Sequence, residues 1–141
     1  MPTPLRPGEV AEREVLLTRE AVVRLATELG DPNPLHHDLE LARASRFGDL
    51  IASGGHLIGL LTSFCAAFTT PRGPGLGLAF SYELRRAARA GTRLRLRWKV
   101  RAVEHSEKPR GEIVLLEGEI RDGEDTLLVR GEGKVLMREE L

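Results

Sequence analysis

Between residues 57 and 68 apolar side chains recur on almost every side of a helix: Leu57, Ile58, Leu60, Leu61, Phe64, Cys65, Ala67 and Phe68. A helix apolar along one stripe can lie on a surface, whereas one apolar round most of its circumference has to be enclosed by other elements. The rest of the chain must supply that enclosure. After residues 71–75, rich in Pro and Gly, the apolar period changes from helical to two, and residues 76–84, 93–104, 111–121 and 125–137 read as four strands. In the second of these, Leu94, Leu96, Trp98 and Val100 alternate with Arg93, Arg95, Arg97, Lys99 and Arg101, so one face is buried and the other solvated or ion-paired. Asp122-Gly123 predicts a hairpin between the last two strands, and residues 105–110 a longer turn between the middle two.

Upstream, residues 1–8 carry three prolines and predict an extended arm, and residues 10–17 predict a first strand. Thr18 is placed to cap a helix whose Ala21, Val22, Leu25, Ala26 and Leu29 share one face, and Gly30 stops it. A short helix over residues 39–46 is expected before Phe47-Gly48 turns the chain. One strand, helices, then four antiparallel strands predict an α+β fold. At 141 residues the whole chain, 1–141, reads as a single domain able to bury one core.

Charge narrows the function classes. Lys plus Arg and Asp plus Glu both number 21, so no net field draws the chain to nucleic acid. No apolar run is long enough to span a bilayer, the start lacks a basic-then-apolar leader, and the lone Cys65 cannot form an internal disulfide. No membrane partner and a cytoplasmic location are the expectations.

The chemistry is concentrated in Gly30-Asp31-Pro32-Asn33-Pro34-Leu35-His36. The two prolines cannot continue the helix and hold the loop stiff. A carboxylate and an imidazole five residues apart in a rigid loop can activate and orient a water molecule near neutral pH. Spacing alone leaves a second role open, in which Asp31 caps a turn and His36 is a polar surface residue. The chain contains no Gln, and its only Asn, Asn33, stands between those prolines.

This loop, with His37-Asp38, Ala42, Phe47-Gly48 and Ile51-Ala52-Ser53-Gly54, resembles the signature of the MaoC-like dehydratases, the (R)-specific enoyl-CoA hydratases of the hotdog fold. The resemblance implies a single hotdog, an antiparallel sheet wrapped round the apolar helix, and a hydro-lyase adding water to a trans-2-enoyl thioester. It implies that Asp31 and His36 are the catalytic pair, that Asn33 braces the loop, and that the Gly54 N–H, beside Ser53, faces the thioester oxygen as an oxyanion hole. Thr62 falls where some relatives carry a hydroxyl near the aspartate, and His56 could donate to a substrate carbonyl. Coenzyme A enters only as part of the substrate, an acyl-CoA or acyl-carrier-protein thioester. No other cofactor is implied, and a homodimer or dimer of dimers is expected. Ser53 replaces a common His and Leu39 a common Pro, which leaves the acyl chain preference open.

Other readings have less support. Adjacent histidines seldom ligate one ion from a short loop, so His36, His37 and His56 with Asp31 and Asp38 predict no metal. Arg85, Arg86 and Arg89 form a basic cluster that could meet phosphates or simply solvent. A hotdog thioesterase would place a carboxylate on or near the central helix, yet residues 51–70 contain no Asp or Glu. A non-catalytic acyl-thioester binding module remains as the alternative of another class.

Overall fold

The computed structural model describes residues 4–140, so the first three residues of the expected arm lie outside the described residues. Five strands, β1 (Val10–Leu16), β2 (Gly75–Leu84), β3 (Arg93–Glu107), β4 (Arg110–Arg121) and β5 (Leu127–Met137), form one antiparallel sheet in the order β1-β3-β4-β5-β2. Three α-helices, α1 (Arg19–Leu29), α2 (Leu39–Ala44) and α3 (Gly54–Thr69), lie between β1 and β2 in the chain. This is the α+β arrangement that the periodicities predict. Helix α3 packs across the sheet in contact with β2, β3 and β4.

The alternation in β3 explains that packing. Leu94, Leu96, Trp98 and Val100 are all fully buried, and the Trp98 indole N–H donates to the Leu61 carbonyl of α3 at 2.8 Å. A Cβ on Gly118 of β4 would stand 2.7 Å from the Trp98 ring, so only glycine leaves room for the indole to lie across the neighbouring strand. On the opposite face Arg97 meets Glu12 and Glu119, and Arg101 meets Glu117, at 3.4 to 3.8 Å. The solvent face of β3 is thus cross-paired with β1 and β4.

Several expectations are corrected. Helix α3 is not enclosed all round: Leu57, Leu61, Phe64 and Cys65 are buried, but Gly55, Gly59, Ser63, Ala66 and Ala67 make an exposed stripe. Small side chains carry little apolar area, so their exposure costs little. The longer turn expected at residues 105–110 is only Lys108-Pro109, because β3 stays paired through Glu107, opposite Arg110. The last hairpin opens wider than expected, with β5 starting at Leu127. Asp122 Oδ1 accepts from the backbone N–H groups of Glu124 and Thr126 and so closes the loop with its side chain. The described part of the arm is pinned, with Leu5 buried, rather than merely extended.

Cys65 is buried in α3, and burial pushes its thiol up to about 11, so it serves as packing. No helix among the described residues is long and apolar enough to cross a membrane.

Candidate active site

Helix α1 delivers the loop to its place. The Thr18 hydroxyl accepts from Ala21 N–H at its start, and at its end Gly30 takes φ 73°, a left-handed conformation suited to glycine. The Asp31 N–H then donates to the Ala26 carbonyl at 2.9 Å. The chain leaves the helix with the Asp31 carboxylate already oriented.

Within the loop each Asp31 oxygen has its own task. Oδ1 accepts from the Asn33 N–H at 3.1 Å, closing an Asx turn, while Oδ2 stands 3.4 Å from His36 Nε2. Asp31 therefore caps the turn, as one of the roles left open by spacing has it, while its other oxygen faces the imidazole. Asn33 Oδ1 accepts from Leu35 N–H and caps a single 3-10 turn, Pro34–His36, which raises His36 into the protein. His37 is exposed and donates from Nε2 to the Asp31 carbonyl at 2.7 Å, which ties the loop ends together.

His36 is buried, not a surface residue, and its Nδ1 lies 2.7 Å from the Ile51 carbonyl. A carbonyl can only accept, so Nδ1 carries a proton, and Nε2 is the ring nitrogen left facing Asp31. Because Ile51 lies three residues before α3, the same short segment that fixes the tautomer also delivers the start of the helix.

Ser53 caps α3: its buried hydroxyl accepts from the His56 N–H at 3.1 Å. Gly54, the first helical residue, lines the cleft with Asp31, Asn33 and His36, and a first-turn N–H has no partner within its helix. A Cβ on Gly54 would meet the end of Leu84 at 2.8 Å. The cleft holds about 730 Å³. Leu57 and Leu84 add apolar walls, and Arg46, Phe47, Arg85 and Arg86 complete its rim. Sequence reasoning did not place Arg46 or Phe47 in this cleft, although Phe47-Gly48 belongs to the motif that carries the family resemblance.

Three candidates lie outside this lining: Ser53, which acts as the helix cap, Thr62 and His56. The Thr62 hydroxyl is hydrogen-bonded to the Tyr82 hydroxyl of β2, and neither its own backbone nor the aspartate is its partner. His56 is buried behind the cleft, and its Nδ1 has no hydrogen-bond partner among the described residues. Burial first, then the neighbouring Arg24 and His36 charges, hold its pKa below the ordinary imidazole value. A histidine with a lowered folded pKa stabilises the fold above its unfolded value of about 6.5, and that contribution is lost as pH falls towards the folded value. The melting temperature of the wild type is therefore expected to drop more steeply from about pH 7 to about pH 5 than that of His56→Gln. Parallel slopes in a thermal-denaturation series would remove His56 from the acid limb.

Among the described residues no three His, Cys, Asp or Glu side chains gather as a metal-binding group. The site instead offers an imidazole and a carboxylate side by side, a nearby helix-start N–H, and an apolar wall. Such a set can move a proton on and off water beside a polarised carbonyl.

Comparison with known proteins gives the family and the fold. Residues 7–130 match the family model described as FAS1-like, dehydratase domain region. A protein of Streptomyces avermitilis described as a UPF0336 protein is 30% identical over 112 residues, covering 74% of this chain and 72% of that one. The (R)-hydratase of A. caviae involved in PHA biosynthesis superposes with a TM-score of 0.83 at 25% identity, over 95% of this chain and 98% of that one. A MaoC-like dehydratase from Rhodospirillum rubrum gives 0.77 at 25% identity, over 97% and 96%. The five-stranded sheet with its packed helix is thus the hotdog that the loop motif implied. The chain belongs to the FAS1-like dehydratase-domain family, among the MaoC-like dehydratases, and is an enzyme of the hydratase/dehydratase class.

Proposed function

We propose that this chain catalyses the reversible hydration of a trans-2-enoyl thioester to an (R)-3-hydroxyacyl thioester. The observation that carries the reading is the pairing of His36 Nε2 with Asp31 Oδ2 at 3.4 Å while Nδ1 is committed to the Ile51 carbonyl. Two acceptors at that separation can each take one hydrogen of the same water, which turns the water's lone pair towards the substrate.

As the water oxygen bonds to the β-carbon, one of its protons passes to the dyad and the carbon–carbon π pair shifts onto the thioester oxygen. The Gly54 N–H stabilises that oxygen at the positive end of α3. The enolate then collapses, and its α-carbon takes a proton from the dyad. Oxygen and proton both come from the same wall, so the addition is syn. One water is consumed and no electrons are exchanged, so the reaction needs no resident cofactor. The carrier, coenzyme A or acyl-carrier protein, arrives with the substrate. The (R) outcome is supported by the similarity to the A. caviae protein, an (R)-hydratase.

A second copy of the chain completes the assembly. Strand β2 is an edge of the sheet and exposes Leu76, Leu78 and Leu84, each 45% to 54% accessible. An apolar edge of this length is covered in stable proteins, and a homodimer covers it by strand pairing.

Absorbance at the enoyl-thioester band is the test. Purified protein is expected to consume crotonyl-CoA or a longer trans-2-enoyl-CoA without releasing free thiol. Thiol release from a saturated acyl-CoA would point to a thioesterase, and calorimetric binding of the enoyl thioester without turnover would point to a binding module.

A further inference from the structure

The cleft carries more positive charge than the reaction uses. Arg46, Arg85 and Arg86 all line it, against one carboxylate, Asp31. The main chain of the latter pair is fixed: the N–H groups of Arg85 and Arg86 both donate to the Leu128 carbonyl, at 2.8 and 3.2 Å. Arg46 approaches from the segment that follows α2, its guanidinium over the Phe47 ring at 4.8 Å from the centroid. Arg85 has a carboxylate neighbour in Glu83 at 3.3 Å, with both side chains half or more exposed. Arg46 and Arg86 have no carboxylate partner among the described residues, whereas Arg95, Arg97, Arg101 and Arg121 of the sheet do.

Guanidinium groups brought together from two distant segments beside an apolar wall are chemically suited to phosphate oxygens. A thioester carrier has such groups esterified at the far end of its pantetheine arm, away from the reacting carbon. Resting on the hydration reading above, we propose that Arg46, Arg85 and Arg86 form a phosphate-binding rim that holds the carrier arm of the substrate while Asp31 and His36 address its acyl end. The apolar lining, Leu57 and Leu84, lies in the same cleft and suits the acyl portion. Of the basic cluster visible in the sequence, Arg89 lies outside this lining, and Arg46 takes its place.

The test compares one acyl group on four carriers: coenzyme A, phosphopantetheine, phosphate-free pantetheine, and phosphopantetheinyl carrier protein. Arg46→Gln and Arg86→Gln are expected each to raise KM for the CoA thioester about tenfold with kcat largely kept. The ratio of kcat/KM for the CoA thioester to that for the pantetheine thioester falls by a similar factor. Arg89→Gln, an exposed guanidinium outside the cleft, leaves the ratio where it is. Loss confined to the CoA thioester assigns the rim to the nucleotide phosphates. Equal loss with phosphopantetheine and the carrier protein assigns it to the phosphate ester common to all three. Unchanged ratios in an active enzyme overturn the proposal, as does an equal loss on the phosphate-free thioester. A wild type that hydrates none of the four thioesters overturns the hydration reading itself.

Discussion

Asp31→Asn is expected to hydrate enoyl thioesters roughly 10²- to 10⁴-fold more slowly than the wild type, with its melting temperature unchanged. Asparagine is nearly isosteric and keeps an oxygen for the Asn33 N–H, so the Asx turn that shapes the loop survives. What disappears is the negative charge and the capacity to take a proton from water, 3.4 Å from His36 Nε2. The loss should fall on kcat and kcat/KM together, as it does when an interaction made only in the transition state is removed. Near-wild-type turnover by folded Asp31→Asn would sink the assignment of the dyad. His36→Ala is a poorer probe, because the imidazole is buried and holds the Ile51 carbonyl. Removing it would leave that carbonyl unpaired and loosen the entry to α3, mixing a folding defect with a chemical one.

The largest stability effect is expected at Trp98, far from the chemistry. Trp98→Ala should cost about 3–5 kcal/mol and lower the melting temperature by roughly 10–20 °C. The indole is fully buried, crosses Gly118, stands edge-on to Phe80, and donates to the Leu61 carbonyl of α3. Glycine at residue 118 cannot move a side chain into the space left behind, so the cavity stays open. Denaturant unfolding followed by circular dichroism would read the loss. A cost below about 1 kcal/mol would mean that Phe80 collapses into the gap and that the sheet and α3 are joined mainly elsewhere.

Local signals in the chain carried those elements whose formation depends on near neighbours. Thr18 and Gly30 marked both ends of α1, and the alternation from Leu94 to Val100 marked the buried face of β3, because capping and pleating are properties of a few adjacent residues. The loop motif marked Asp31 and His36 for the same reason, since both lie on one short segment. The features that were not legible arise where distant segments converge. The Nδ1 bond of His36 depends on Ile51, fifteen residues on, and the Thr62 hydroxyl finds Tyr82, twenty residues on. Arg46 and Arg86 line one cleft although forty positions separate them. The exposed stripe of α3 was missed for another reason. Apolar composition counts Ala67 as core, but position in the sheet decides which face of the helix is covered.

Asn33 has one more consequence, for the ageing of the molecule rather than its turnover. Asparagine side chains deamidate when the following backbone nitrogen attacks the amide and closes a succinimide ring, a route that requires an N–H on the next residue. The residue after Asn33 is Pro34, which has none. The amide oxygen that caps the turn beneath His36 therefore sits on the chain's only asparagine, in a position where this route of spontaneous chemical damage is closed.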